Sequence, residues 1–230
     1  MLTSLLFPLL LLLAGSAAAQ SGLTGQEQRW LRAGAAVLDY ARQLKLPIDI
    51  IVQPQAAPGA VPLAMGFDGG RCKLVLSMRG NAQAEEVLAP LPPAEQVLMI
   101  EAMMAHEIGH CWRYAHGDWH VLPTGFVEAG EEAAAGAPLL GDARSLRDTR
   151  REEGYADLVA LAWVQLRHPA RYAQVHGWLA RVRGGAAAPG GSHDTQAWLS
   201  LARDGTAFAP ASTPFDQVVA LWGQGLIKDK

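Results

Sequence analysis

His106 and His110 stand four residues apart with Glu107 between them, in the run His106-Glu107-Ile108-Gly109-His110. On a helix that spacing puts both imidazoles on one face, one turn apart, where they can grip a single zinc ion. The glutamate beside the first histidine can then reach a water on that ion and take its proton. The chemistry implied is hydrolysis by activated water, with Glu107 as general base. Two histidines do not complete such a site, which needs three protein ligands and one open position.

Three sources of the third ligand are open. His116 stands where the longer pattern H-E-x-x-H-x-x-G-x-x-H places its last histidine. That pattern needs glycine at position 113 to turn the chain toward the metal, and this sequence has Arg113. If the helix continues, His116 points roughly 80° away from His106 around the axis. No methionine follows Met104 to form the turn that accompanies that pattern. A second source is the acidic cluster Glu128, Glu131 and Glu132, none of which has an aspartate four residues on. The third is Glu153, followed at four residues by Asp157. Both carboxylates then share a helical face, one free to bind zinc while the other accepts the ring N–H of a ligating histidine. Thr149 and Glu152 fit a capping box at the start of that helix, which leaves Glu153 without a structural duty. Glu153 is the preferred ligand.

These residues must be positioned by helices. Pro92-Pro93 opens the motif helix, whose apolar residues cover so much of its surface that it is buried on most sides. Gly117 is a plausible stop, and residues 117–148 read as loop with a short helix near Phe126–Ala135. A helix over Thr149–Leu166 ends at His168-Pro169. Ala170–Arg183, His193–Arg203 and Pro214–Ile227 follow as helices, with a Gly- and Ala-rich loop over Gly184–Ser192. Ahead of the motif, Gln26–Leu46 has helical spacing and stops before Pro47. Ile48–Val52 and the alternating Cys72–Met78 read as strands, with turns and a weak strand between them. The fold class is α+β: a small N-terminal sheet with an edge strand, the central motif helix, then a mainly helical C-terminal body.

Composition narrows the setting. Leu5–Leu13 is an apolar run followed by small residues through Ala19, the form of a cleaved export leader, so residues 1–19 are expected to be a signal peptide and 20–230 a single domain. The run is too short for a membrane span, and no later stretch is long enough, so stable membrane insertion is not expected. The net charge of −3 offers no surface for nucleic acid. The expected location is periplasmic or secreted. Cys72 and Cys111 are the only cysteines, and in an exported chain an even pair is a disulfide candidate.

The H-E-x-x-H run together with the E-x-x-A-D of residues 153–157 resembles the gluzincin metallopeptidases. The likeness is nearest to the branch holding the prenyl-protein-processing membrane proteases and their soluble periplasmic relatives, and covers about residues 94–166. It implies zinc held by His106, His110 and Glu153, Glu107 as general base, Asp157 supporting a histidine, and a protein or peptide substrate. Because the transmembrane helices of the membrane members are missing here, action on lipidated substrates does not carry over. That branch also has a downstream histidine that steadies the transition state, and His193, in Gly191-Ser192-His193-Asp194-Thr195, is the matching candidate. Cys72–Met78 is expected as the edge strand along which an extended peptide adds, with a Cys72–Cys111 bond tying it to the motif helix. Two rival readings are a binding module stapled by zinc, with a fourth ligand such as His116, and a zinc amidase acting on a non-protein amide.

Overall fold

The computed structural model of the chain describes residues 22–126, 138–186 and 190–229. The expected leader at residues 1–19 and the acidic cluster Glu128, Glu131 and Glu132 lie outside the described residues.

Two short helices, α1 (Gly25–Ala33) and α2 (Ala35–Gln43), occupy the span that reads as one continuous helix. Thr24 caps α1 reciprocally: its hydroxyl accepts from the Glu27 amide at 3.2 Å, and the Glu27 carboxylate accepts from the Thr24 amide at 2.7 Å. The break falls at Gly34, where a Cβ would lie 2.6 Å from the Met104 side chain. Close approach to the motif helix therefore overrides local helix periodicity.

The sheet holds β1 (Ile48–Val52), β2 (Leu63–Asp68) and β3 (Arg71–Leu76) in the order β1-β3-β2. Gly69 and Gly70 join β2 to β3 with φ of 57° and 73°, the left-handed pair that a two-residue hairpin turn requires. β1 then adds to β3 in parallel, with Ile48 opposite Cys72. This corrects the expected edge strand. β3, with Cys72, Leu74 and Leu76 fully buried, is the central strand, and its backbone is committed on both sides. The edges are β1 and β2.

A single turn, α3 (Gln83–Glu86), leads to α4 (Pro93–Ala115), the motif helix. Its buried residues run from Leu98 to Arg113 around most of its circumference. His116 caps its end, and Gly117, at φ 76°, turns the chain away. The next helix, α5 (Pro138–Arg167), begins eleven residues before the expected Thr149 and stops as expected at His168-Pro169. Residues 144–146, ahead of the expected start, are exposed, so no buried stripe marks that stretch in the sequence. α4 and α5 pack along each other. At Gly109 a Cβ would lie 3.2 Å from the Ala156 Cα, so the glycine inside the motif is what lets the two backbones approach.

After a 3₁₀ turn at Pro169–Arg171 come α6 (Tyr172–Ala186), α7 (Gln196–Leu199), a second 3₁₀ turn at Gly205–Ala207, α8 (Pro214–Gln217) and α9 (Val219–Lys228). The helix expected over His193–Arg203 shrinks to α7, and the one over Pro214–Ile227 divides at Val218. Trp198 of α7 fixes this end of the molecule. A Cβ on Gly154 or Gly225 would lie 2.3 or 2.2 Å from its indole, and its ring N–H donates to the Trp222 carbonyl at 3.0 Å. The architecture is α+β, with a helical body against one small sheet. No described helix is long and apolar enough to cross a membrane.

Candidate metal centre

α4 presents His106 and His110 one turn apart, both buried, and α5 brings Glu153 against them. His106 Nε2 lies 3.1 Å from His110 Nε2 and 3.4 Å from Glu153 Oε2, while His110 Nε2 lies 3.3 Å from Glu153 Oε1. Ligand atoms bound tetrahedrally at about 2.0–2.1 Å sit about 3.3 Å from one another, so the three side chains already have the separations that one ion demands. Among the described residues, this is the one group of three or more His, Cys, Asp or Glu side chains so arranged, and it could hold a metal ion.

The surroundings favour a cation. Asp157, fully buried, accepts from His106 Nδ1 at 2.9 Å. A carboxylate can only accept here, so Nδ1 carries a proton and Nε2 is the ring nitrogen that faces His110 and Glu153. Burial opposes charge on His106, but the carboxylates of Glu153 and Asp157 overcome it and raise its pKa to about 10. Burial also opposes charge on Glu153, yet the two histidines hold its carboxyl well below the usual range. The same carboxylates that favour a proton on His106 would favour a metal ion in its place. Three carboxylates, Glu107, Glu153 and Asp157, face one guanidinium, Arg183, a formal balance that a divalent ion neutralises. The residues present fit such an ion.

Glu107 stands on the same helix, buried at the cleft wall, where burial pushes its carboxyl pKa up against the pull of the two histidines. The cleft has a volume of about 390 Å³. Much of its lining is apolar, including Trp30, Leu63, Met65, Met103, Trp178 and Leu179. β2 runs along one side through Leu63, Ala64 and Met65. Trp119 meets His110 edge to face at 5.5 Å between ring centroids.

His193 is also at the cleft. Its Nε2 lies 3.7 Å from Glu153 Oε2, its side chain is half exposed, and its Nδ1 pairs with the Ser192 hydroxyl at 3.0 Å. The other readings resolve differently. His116 lies at the exposed end of α4, its ring tilted against that of Trp112 and bonded to the Trp112 carbonyl, outside the group of three at the centre. Arg113, which breaks the three-histidine pattern, forms a buried fork with Glu152 at 2.6 and 3.0 Å and lies over the Trp222 ring. Glu152 is therefore not a capping-box residue. It sits mid-helix on α5, tied to α4, while the Thr149 hydroxyl donates to the Ser145 carbonyl. Cys72 and Cys111 form a disulfide, with Cα atoms 5.6 Å apart, so the residue after His110 is bonded to the central strand.

Two residues at the centre carried no signal in the sequence. Arg183 of α6 donates to both Glu153 and Asp157, and the Thr195 hydroxyl donates to Asp157 Oδ2 at 2.6 Å. Each lies on a separate element and arrives only through packing. An unpaired Asp157 could have suggested a second donor, but not which one.

No family model, curated protein or solved structure matches this chain.

Proposed function

We propose that this chain is an exported zinc-dependent peptidase of the gluzincin type. The observation that carries the reading is the convergence of Glu153 on His106 and His110 beside a buried glutamate that faces an open cleft. Zinc suits two imidazoles and a carboxylate at these separations, and when bound it polarises a carbonyl and lowers the pKa of its water toward about 7. Glu107 takes the proton of the attacking water and returns it to the leaving amine, a role its raised pKa favours. A glutamate at this place has no use in a purely structural metal staple. His193, at the rim, is placed to donate a hydrogen bond to the oxyanion. β2, an edge strand whose one strand neighbour among the described residues is β3, lines the cleft where an extended peptide would add. The leader-like N-terminus and the disulfide support action outside the cytoplasm.

The test is metal content and peptide hydrolysis of wild type, Glu107→Gln and Glu153→Ala. Wild type should carry about one zinc per chain and cleave an unfolded protein substrate. Glu107→Gln should keep zinc and lose about 10²–10⁴-fold in turnover, and Glu153→Ala should lose zinc. A wild type that binds no zinc under replete conditions overturns the reading. Hydrolysis confined to non-protein amides would instead assign the same centre to an amidase.

A further inference from the structure

Arg183 comes from α6, yet its guanidinium spans both acids of α5. Nη2 donates to Glu153 Oε2 at 3.0 Å and to Asp157 Oδ1 at 2.7 Å, and Nε donates to Asp157 Oδ2 at 2.9 Å. One of these carboxylates is a candidate ligand, and the other holds His106. Resting on the zinc reading above, we propose that Arg183 is a positioning residue that presents Glu153 to the metal through a single oxygen, leaving a coordination position free for water.

The two oxygens of Glu153 are nearly equivalent in range, 3.3 Å from His110 and 3.4 Å from His106, so distance does not choose between one-oxygen and two-oxygen binding. Arg183 does. It engages Oε2 in a charge-assisted bond, and His193 Nε2 stands 3.7 Å from that same oxygen. With Arg183 bonded to Oε2, the charge on that oxygen is drawn toward the guanidinium, and Oε1 is the freer oxygen for the ion. The clamp is stiff because the guanidinium is planar, its side chain is only 13% exposed, and Asp157 holds it through both Nε and Nη2. Asp157 is in turn fixed by Thr195 and His106, so the orientation of Glu153 is set by three elements besides its own helix.

Charge and positioning predict opposite results. Removing a cation beside the centre would strengthen zinc binding if Arg183 acted through charge alone. If it positions Glu153, removal weakens binding. Zinc affinity of wild type, Arg183→Gln and Arg183→Lys is measured by competition with a chromophoric chelator, and the coordination shell by X-ray absorption, after circular dichroism shows each variant folded. Arg183→Gln should bind zinc about 10–100-fold more weakly and gain one oxygen in the shell as Glu153 swings to two-oxygen binding. Arg183→Lys keeps the charge but not the fork and should show the same added oxygen, which carries the test if the glutamine variant fails to fold. Affinity equal to or tighter than wild type overturns the proposal, as does a weakened site with an unaltered shell. A wild type that binds no zinc removes the zinc reading itself, whereas a wild type that binds beside an unaffected Arg183→Gln removes only this role.

Discussion

Asp157 Oδ1 meets His106 Nδ1 at 2.9 Å across 51 residues of sequence, and the same carboxylate also accepts from Arg183 and Thr195. One buried acid thereby sets the tautomer of a candidate ligand on α4 and anchors α6 and the segment that carries His193. Asp157→Asn keeps the shape but offers one acceptor oxygen where two are used. Zinc affinity is expected to fall about 10–100-fold in a chelator competition while the helical circular dichroism is retained. Unchanged affinity would show that the histidine needs no such support.

Gly154 lies beside Glu153 and against the Trp198 indole, with 2.3 Å available to a Cβ. Neither the helix backbone nor a fully buried tryptophan can yield that distance without moving α7. Gly154→Ala should cost about 1–3 kcal/mol despite alanine's better helix propensity, read as a lower denaturant midpoint with an unaltered slope. A more stable variant would mean that propensity wins and that the packing here is loose.

The disulfide between Cys72 and Cys111 fastens the turn after His110 to the central strand and closes a span of 39 residues. Replacing both cysteines with alanine is expected to lower stability by about 2–4 kcal/mol. Because the bond holds α4 to β3 near the ligands, the same variant should release zinc more readily on mild heating, as followed by a metal-sensitive dye. Equal stability of the two proteins in chemical denaturation would contradict this.

Glu27, buried at the start of α1, accepts two bonds from Arg79 at 2.8 and 3.1 Å and one from the Thr24 amide. The arginine bonds, more than burial in the other direction, hold its pKa below the ordinary 4.5. A depressed folded-state value means that the carboxylate's contribution is full above its unfolded pKa and disappears as pH falls through the lower folded value. Glu27→Gln should therefore destabilise the protein by about 1–3 kcal/mol at pH 7, and the gap to wild type should narrow steadily below pH 4.5. A gap that stays constant from pH 7 to pH 3 would show that the charge contributes nothing.

The sequence alone determined what is carried by local spacing. Four-residue intervals define a helical face, so His106 with His110, and Glu153 with Asp157, were legible as pairs, and the alternation of β3 and the proline stops marked element ends. Tertiary structure decided everything that depends on which faces meet. β3 became central because β1 returns in parallel to its free side, a pairing that leaves no local trace. Glu152, which fits a cap by spacing, became the partner of Arg113 because α5 starts eleven residues earlier and packs on α4. Arg183 and Thr195 reached Asp157 from elements whose own periodicity says only that they are amphipathic or capped. Spacing fixes direction within an element, whereas distances between elements depend on side-chain volumes summed over the whole core, and glycines such as Gly109 set those distances by what they lack.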